Sequence, residues 1–558
     1  MTPSALLSFC VSLPPFQFIE DEIMTIEPLT DTASSTSATD KPRYYVTTAI
    51  DYPNGAPHIG HALEKVAADI VARYHRLRGH DTFFSMGIDE NSLHVLQTAR
   101  AHNVEPHAWI NALDEQFRHA WSKLDLSYDY WMRTTEPQHI RASQEMFQRA
   151  LAKGDIYRAT YSGWYCPNCN TFYNTEDLIG GRCPSHPSLS PEWLDEENYF
   201  FALSKYSDQL LAHIESHPDF IVPASRRAEV ISFIHQGLRD FSVSRQVRAG
   251  IENWGIPVPG DPQHVIYVWF DALTNYLTAV GFLSDEQQFQ HYWPADAHVI
   301  GKDITRFHCL YWPAMLLSVD LPLPKQIAVH GFLALESHRI SKTLGNVIDP
   351  VTLVDKVGVD AVRYYLARQL SFASDGDFSR TGLLRFYNDE LGNDLGNLLN
   401  RVVSMLNRYR QGNVPLAGPA GALELELQGM AKSIRRRAEQ SIERWEIGQA
   451  LSTIWTFVKR VNQYIEQNAP WQLAKNPAEE QHLDTVLASA AEATRILAIL
   501  LAPYLPTSAS RIMEQLGLPP IEAGAWDEQS AWGSVPLTRI AGGTLLFPRI
   551  DPAIAATL

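Results

Sequence analysis

Short apolar runs alternate with helical patterns up to about residue 380 of the chain. Four of these runs, at 44–50, 264–270, 296–301 and 325–331, read YYVTTAI, HVIYVWF, DAHVIG and KQIAVHG. They contain β-branched residues and are bounded by turn residues, which predicts buried strands of a parallel sheet. Apolar residues three and four positions apart lie between them, so we predict an α/β body.

Beyond Asp377 the pattern becomes almost purely helical. Apolar residues recur at three- and four-residue spacing over 388–410, 450–467 and 486–502, which is typical of a helix bundle. The stretch from the cysteine cluster near residue 166 to about residue 260 interrupts the α/β body. The predicted architecture is therefore a nucleotide-binding parallel sheet, split by an insertion and followed by an α-helical domain.

Composition and charge narrow the possible partners. The 558 residues are 45% hydrophobic and 20% charged, with a formal net charge of −17. That charge argues against indiscriminate nucleic-acid binding, so any RNA contact must come from local basic patches such as Arg435–Arg437, which otherwise form a solvated helix face. The longest apolar stretch, 486–505, is interrupted by Glu492, Arg495 and Pro503. We therefore expect no membrane-spanning segment and no DNA binding.

The N-terminal segment has a different composition from the rest. Residues 29–41 read LTDTASSTSATDK, and the apolar run before them lacks the basic start and the small-residue cleavage site of a signal peptide. We expect a flexible tail, and Met24 is a possible natural start of the protein.

The five cysteines are unevenly placed. Cys10 and Cys309 stand alone, whereas C-x2-C followed by C-x2-H brings together Cys166, Cys169, Cys183 and His186. Two such knuckles supply the four soft ligands of a tetrahedral Zn²⁺. A Cys3His shell leaves no open coordination position, which favours one structural zinc over a catalytic zinc or a redox-active thiol pair.

One short motif predicts phosphate binding. His58-Ile59-Gly60-His61 follows a β-branched strand and a proline and opens a helical pattern. Two imidazoles at a helix N-terminus add hydrogen-bond donors where the backbone N–H groups and the helix dipole already favour anions. Taken alone, two such histidines would more often simply cap a surface helix.

A second motif, far along the chain, strengthens this interpretation. Arg339-Ile340-Ser341-Lys342-Thr343 lies in a loop rich in small and polar residues. Such a loop suits a mobile cation that stabilises developing phosphate charge, although a lone lysine is usually a solvated surface charge. The order and separation of the two motifs resemble the HIGH and KMSKS signatures of class I aminoacyl-tRNA synthetases, so both are predicted parts of one ATP site.

Further blocks resemble one family of these enzymes from about Arg43 to the end of the chain. ENYFFALSKY, YVWFDALTNYL, VIGKDITRFHCLYWPAML, HGFL, NDLGNLLNR, NAPWQLAK and LLFPRID follow one another in the order found in the methionyl-tRNA synthetase family. The last block resembles the end of that family's catalytic and anticodon-binding core. The additional C-terminal RNA-binding and dimerisation module of some members does not follow it, and we therefore expect a monomer.

The resemblance implies a reaction and its partners. L-methionine and ATP, with Mg²⁺, would give methionyl-adenylate and pyrophosphate, and the methionyl group would then move to tRNA(Met), initiator and elongator. Positioning and charge stabilisation suffice for this chemistry. His58, His61 and Lys342 would be catalytic, and the ATP site would also include Gly60, Arg339, Ser341 and Asp303. For Asp303, a helix-capping role is the plain alternative.

The resemblance also implies a methionine pocket. Asp89 would pair with the amino group, and the side-chain site would be lined by Ile50, Trp269, Tyr276, Ile304, His308 and Trp312. Aromatic and aliphatic groups make soft contacts with a thioether, and a Tyr or His hydrogen at the sulfur would add a polar check against aliphatic competitors. Without the resemblance, Trp269, Ile304 and Trp312 would be read as core residues.

Anticodon recognition is implied at three positions. Asn397 and Arg401 lie four residues apart on a predicted helix and can face the same bases, and Trp471 could stack on an unpaired base. Without the resemblance, the Asn–Arg pair would be a surface hydrogen bond and Trp471 a packing residue.

Some residues depart from the family pattern, and two other classes of protein stay open. Asn91-Ser92 stand where the family commonly has His and Gly, and Leu273 stands where many members have Pro or Ala. These changes affect the expected selectivity for the amino acid more than the reaction itself.

An adenylate-forming paralogue with another acceptor, or a catalytically silent RNA-binding protein, would retain fewer of the motifs. Methionine chemistry and reduced, zinc-bound thiols indicate the cytoplasm.

The predicted segments follow from these assignments. They are a tail (1–42), a first catalytic half (43–158), a zinc-bearing insertion (159–260), a second catalytic half (261–330), a KMSKS-like loop and stem-contact region (331–384), an anticodon-binding domain (385–520) and a C-terminal segment packing back on the core (521–558).

Overall fold

The described part of the chain begins at Lys41. The structure is a computed structural model that describes residues 41–551 and 555, except 167–170, 174, 185, 186, 188, 248–253, 336, 337, 340–346 and 373. The chain divides into two units, 1–41 and 42–558, and all the described helices and strands belong to the second unit.

The first part of this unit alternates strands with helices. Its elements are β1 (Arg43–Thr48), α1 (Ile59–Leu77), β2 (Asp81–Ile88), α2 (Leu93–Ala101), α3 (Pro106–Lys123), β3 (Tyr130–Arg133) and α4 (Pro137–Ala152). The next, loop-rich region contains β4 (Ile156–Cys166), β5 (Thr171–Tyr173), β6 (Glu192–Phe201), α5 (Ser207–Ser216), β7 (Ile221–Val222), α6 (Ala224–His235), β8 (Phe241–Ser242), β9 (Ser244–Gln246), β10 (Pro257–Val258) and β11 (Asp261–Ile266).

The chain then returns to the body. The elements are α7 (Val268–Thr278), α8 (Glu286–Tyr292), β12 (Ala297–Gly301), α9 (Trp312–Ser318), β13 (Ile327–His330), β14 (Leu333–Leu335), β15 (His338–Arg339), α10 (Pro350–Val357), α11 (Val359–Gln369), β16 (Gly376–Phe378) and α12 (Arg380–Arg385). The helical part comprises α13 (Asn397–Arg410), α14 (Ala422–Glu443), α15 (Ile447–Asn468), α16 (Pro470–Leu473), α17 (Glu480–Leu501), α18 (Pro506–Gln515) and α19 (Ala525–Glu528). Wider π-helical turns span 307–311 and 386–396.

A six-stranded, all-parallel sheet organises the body. Its order is β3-β2-β1-β12-β13-β7. The sheet confirms the predicted parallel α/β fold, and α13 to α18 confirm the helical domain after it. Strand β7 reaches the edge of this sheet from the region between the two halves. The segment boundaries expected from the sequence stay predictions.

The prediction for 264–270 was wrong. Val265 and Ile266 belong to β11, which pairs antiparallel with β9 and β10 outside the main sheet, and the chain already turns into α7 at Val268. A short, continuous apolar run is ambiguous, because a buried helix face and a buried strand look alike over so few residues.

A buried arginine of the body, paired with an aspartate, also joins the body to the helical part. Arg363 on α11 lies 2.7 Å from Asp69 on α1, and neither side chain is exposed. The Arg363 guanidinium also donates to the backbone oxygens of Pro503 and Tyr504. Burial alone would raise the pKa of Asp69, but Arg363 and Arg73 outweigh burial and lower the pKa to about 2. Removing Asp69 would leave the buried Arg363 guanidinium without its carboxylate partner.

No described helix combines the length and the hydropathy needed to cross a bilayer.

Candidate active site

The site lies where four strands end. The carboxyl ends of β1, β2, β12 and β13 share one edge of the parallel sheet, and β1 is flanked by β2 on one side and β12 on the other. Where neighbouring strands lead to opposite sides in this way, the segments that follow them leave the sheet in opposite directions. This opens a crevice in which ligands bind. The chain continues from these strand ends into Ile50, Asp89, Asp303 and Ile304.

The two histidines of the first motif lie at the start of α1. His58 is the N-cap residue, and its backbone N–H donates to His61 Nδ1 at 3.1 Å. The two imidazole rings are stacked with centroids 3.7 Å apart. Because His61 Nδ1 accepts a hydrogen bond, a neutral ring carries its proton on Nε2. The first turn, which includes Gly60, therefore combines helix N–H groups and imidazole donors that suit phosphate.

The second motif lies mostly outside the described residues. Ser341 and Lys342 are outside them, as are Ile340 and Thr343, and of Arg339 only the backbone is described, in β15, opposite Ala334. The chain on both sides of this loop contacts α1. His330 Nε2 lies 3.2 Å from Glu64 Oε2, and the Ile59 N–H donates to the Ile348 oxygen at 3.0 Å. Described residues before and after the second motif are thus held against the helix that carries His58 and His61.

Asp303 lies beside a glycine that leaves space in the crevice. A Cβ atom at Gly301 would come within 2.8 Å of Asp303 Oδ1. Asp303 is exposed and lies inside a short 3-10 helix whose N-cap residue is Gly301. Asp303 is therefore not the N-cap residue of this short helix, and its capping and ATP-binding roles both stay predictions.

Asp89 has an acceptor that no described group satisfies. Its side chain is buried, and Oδ1 has no hydrogen-bond partner among the described residues. Burial raises the pKa of the Asp89 carboxyl well above its ordinary value, and the nearby Asp271 raises it further. A cation bound at Oδ1 would relieve both effects, which fits the predicted ammonium contact.

Tyr276 and His308 form a buried hydrogen-bonded pair. His308 Nδ1 lies 3.1 Å from the Ile304 carbonyl oxygen, which can only accept, so the ring proton is on Nδ1. Burial lowers the pKa of His308 to about 4, so the ring is neutral at pH 7. Nε2 therefore accepts from the Tyr276 hydroxyl at 2.7 Å. The predicted hydrogen at the sulfur is thus already used within the pair.

Aromatic rings surround this pair. Trp269 stacks on Phe307 with centroids 3.9 Å apart, and Trp312 packs 5.8 Å from Tyr276. Trp312 is fully buried and donates to His298 Nε2, whereas Trp269 is only half-buried. A Cβ atom at Gly87 on β2 would come within 3.0 Å of Ile50 Cγ2, so the chain just after β1 lies close to β2 there. Trp312 thus packs against β12 itself, whereas Trp269 packs against the turn that follows the carboxyl end of β12.

The described residues include half of the predicted zinc ligands. Cys166 ends β4, and Cys183 lies between β5 and β6. Both are buried thiols outside any disulfide. Cys169 and His186 lie outside the described residues. Within the described residues, no group of three or more potential metal ligands forms. Two buried thiols, one at the end of a β-hairpin strand, suit the donor chemistry of zinc.

The three predicted anticodon residues lie at one end of the helical domain. Asn397 and Arg401 are on α13, and Trp471 is on α16. The Arg401 guanidinium lies 5.9 Å from the centre of the Trp471 ring and 2.8 Å from Glu466 on α15. Asn397 and Trp471 are exposed. The exposed ring and its neighbouring cation offer a stacking surface to a base.

Sequence reasoning missed several buried polar residues near the site. Asp271 on α7 accepts from Asn91 Nδ2 at 2.8 Å and lies 2.6 Å from His139 Nε2. Glu64 and Lys65 on α1 are also buried. Single charged residues within helical patterns give no local signal, because the same letters usually mark a solvated face.

Comparison with known proteins identifies the family. A profile described as "tRNA synthetases class I (M)" matches residues 44–190 and 187–403, and "Anticodon binding domain of methionyl tRNA ligase" matches 414–547. The chain belongs to the methionyl-tRNA synthetase family. It is therefore a class I aminoacyl-tRNA synthetase by descent, and the two matched regions coincide with the sheet domain and the helical domain.

Curated members of the family and solved structures are similar over nearly the whole chain. The methionine–tRNA ligase of Caldanaerobacter subterraneus is 42% identical over 92% of this chain and 79% of its own length. That of Bacillus subtilis is 43% identical over 91% of this chain and 78% of its own length. Mycobacterium tuberculosis methionyl-tRNA synthetase in complex with methionyl-adenylate superposes with a TM-score of 0.86 and 41% identity, covering 91% of this chain and all of that one.

Proposed function

We propose that this protein is a methionine–tRNA ligase that forms methionyl-adenylate from L-methionine and ATP and then charges tRNA(Met). The observation that carries the proposal is the unpartnered Asp89 Oδ1 in the crevice that also receives the helix of His58 and His61. Asp89 would accept from the ammonium group of methionine, and the start of α1 would bind the phosphates of ATP. The two features therefore suit the two substrates of one reaction. Family membership over both domains supports the same conclusion.

Different residues bind methionine and ATP during the activation step. Asp89 holds the amino group, and Ile50, Trp269, Tyr276, Ile304, His308 and Trp312 enclose the side chain. The methionine carboxylate then attacks the α-phosphorus in line, and the bond to the pyrophosphate oxygen breaks. His58, Gly60 and His61, with Arg339, Ser341 and Lys342 from the second motif, bind phosphate, and Asp303 contributes to the ATP site. Mg²⁺ bound with ATP would neutralise phosphate charge.

Zinc and RNA recognition complete the proposal. Cys166, Cys169, Cys183 and His186 would hold one structural zinc, supported by the two buried thiols. Asn397, Arg401 and Trp471 would read the anticodon, supported by the contact between Arg401 and the Trp471 ring. A monomeric state, a cytoplasmic location and service of both initiator and elongator tRNA stay predictions.

Amino-acid-dependent exchange of labelled pyrophosphate into ATP tests the activation step. Each of the twenty amino acids is offered separately, without tRNA, and we expect exchange with methionine alone. Lys342→Ala should reduce the exchange rate by about 100-fold, the usual loss for one donor to transition-state charge. Lys153→Ala, which removes an exposed ion pair with Asp320, is the matched control and should leave the rate unchanged. Exchange with another amino acid, or full activity of Lys342→Ala, would contradict the proposal.

A further inference from the structure

The Asp89 carboxylate is not the only acid at this end of the sheet. Asp271 is completely buried on α7, and its charge acts on Asp89. Glu90 is also buried, but Arg133 lies close enough to its carboxylate to pair with it. Within the described residues, the ion-pair geometry of Asp271 involves His139 alone. Asp271 therefore brings a carboxylate to the site without a described arginine or lysine to neutralise it.

His139 holds the Asp271 carboxylate through one ring nitrogen. His139 Nε2 lies 2.6 Å from Asp271 Oδ1, and Nδ1 lies 3.0 Å from the Thr278 hydroxyl oxygen. Nε2 can donate to the carboxylate, and Nδ1 faces the Thr278 hydroxyl, which also lies 3.3 Å from the Thr274 carbonyl oxygen that it can donate to. The ring therefore orients the Asp271 carboxylate.

Asn91 connects the two acids. Its side-chain amide donates to Asp271 Oδ2 at 2.8 Å and to the Thr134 oxygen at 3.1 Å, which uses both hydrogens of the amide. Its backbone N–H interacts with the Asp89 carboxylate. Asp89 Oδ1 still has no partner among the described residues. The side chain of Asn91 is thus fixed by Asp271, and its backbone supports the Asp89 carboxylate, whose Oδ1 would accept from the ligand.

We propose that Asp271 is a positioning residue that makes the methionine site selective for an ammonium group, acting through Asn91 and through its own charge. The inference rests on the proposed function, because it assumes that Asp89 Oδ1 receives the amino group. It assigns a role to Asn91, at which this chain departs from the family pattern. An amide held by a buried carboxylate takes the place of an imidazole there.

A pair of ligands that differ only in the amino group tests this role. L-methioninol carries the ammonium, and 4-(methylthio)butan-1-ol lacks it. Calorimetry gives the ratio of their dissociation constants for the wild-type protein and for Asp271→Asn. We expect the preference for L-methioninol to fall by about tenfold in the variant, the size expected for one charge near the ammonium at intermediate dielectric.

Two further variants separate selectivity from stability. Asp155→Asn changes another fully buried carboxylate, which is held by Tyr206 and Ser318 away from the site. It should lower the melting temperature without changing the ligand ratio. Asn91→Ala changes a half-buried residue and removes its hydrogen bonds to Asp271 and to the Thr134 oxygen. It should reduce the ratio by about threefold, mainly through loss of the hydrogen bond to Asp271, and it tests the inference if Asp271→Asn does not fold.

The outcomes are distinct. A reduced ratio in the Asp271 or Asn91 variant, with the ratio of Asp155→Asn unchanged, would support the role of Asp271. An unchanged ratio in the folded site variants would overturn it while leaving the proposed function intact. Failure of the wild-type protein to bind L-methionine would overturn the proposed function itself.

Discussion

Lys65 Nζ lies 3.1 Å from Asp51 Oδ1 in the interior of the sheet domain, where both side chains are almost completely buried. The same ammonium contacts Glu64 Oε1 and the Ala49 oxygen, each at 2.7 Å. The backbone oxygen of Asp51 accepts from the Asp89 N–H. One cation therefore connects the helix that begins at His58 to the strand ends that carry the methionine site.

Replacing this cation should destabilise the fold in a pH-dependent way. Lys65→Met leaves two buried carboxylates without their cation, and we expect a loss of about 3–5 kcal/mol in the free energy of unfolding at pH 8. Burial raises the pKa of Asp51 to about 6 even though Lys65 opposes that shift. A raised pKa means that the folded state favours the protonated carboxyl, so the stability that protonated Asp51 contributes at low pH is lost as pH rises through about 6, where the buried carboxyl ionises.

The destabilisation by Lys65→Met should therefore be smaller at pH 5 than at pH 8, because a protonated Asp51 needs no cation. Urea unfolding of the variant and the wild-type protein at both pH values measures this difference. Arg149→Met, which breaks an exposed pair with Glu145, is the control and should change little at either pH. Equal destabilisation by Lys65→Met at both pH values would contradict the assignment to Asp51.

Tyr276→Phe should weaken binding of methionine and of norleucine by the same factor. The hydroxyl donates to His308 Nε2, and a thioether sulfur is a weaker acceptor than this imidazole nitrogen. Transfer of the hydrogen to sulfur would leave a buried nitrogen unpaired at a cost of about 1–3 kcal/mol. Selection of sulfur then rests on polarisable contacts with the surrounding rings.

Pyrophosphate exchange measured with methionine and with norleucine gives a kcat/KM value for each of these amino acids. Their ratio should change less than about threefold in Tyr276→Phe, within the range of one soft contact to sulfur. A selective loss of methionine activation would show that the hydroxyl turns to the sulfur when the substrate binds.

Trp471→Ala should separate tRNA charging from adenylation. The ring is exposed on α16, far along the chain from the strand ends of the active site. Loss of one base-stacking contact should raise the KM for tRNA by about tenfold or more. Pyrophosphate exchange without tRNA should stay within about twofold of wild type, the scatter expected for a surface substitution.

A matched variant elsewhere on the surface controls for a general effect of losing an exposed aromatic ring. Trp193→Ala removes another exposed tryptophan, on β6, and should leave the KM for tRNA unchanged. If Trp471→Ala reduced adenylation as much as charging, the assignment of separate sites would be wrong.

Cys183→Ser should reduce bound zinc and destabilise the insertion. A serine hydroxyl is a poor zinc ligand, and a structural site contributes directly to folding. Metal analysis after dialysis against a chelator should give less than one zinc per chain in the variant. Cys309→Ser, at an equally buried thiol in the core of the sheet domain, should retain the metal. Equal zinc content in both variants would exclude Cys183 as a ligand.

Much of the site is encoded in short stretches of sequence. His58 and His61 lie three positions apart in one motif, so a helix start with two imidazoles follows from a single short stretch of sequence. The periodicity of 450–467 likewise places one face of α15 in the core. In contrast, the run at 264–270 contains a strand end and a helix start, and its apolar letters do not distinguish the two.

The pairing of distant residues depended on how the sheet and its helices pack. Asn91 and Asp271 are 180 positions apart, and Glu64 and His330 are 266 positions apart. A lone acid in a helical pattern is read as solvated, and only its burial against strand ends shows that it needs a partner. Periodicity and motifs are properties of neighbouring residues, and they therefore indicate the fold class, the helix of His58 and the family. The strand order, the unpartnered Asp89 oxygen and the hydrogen bond from Tyr276 to His308 arise from long-range packing, which no local pattern records.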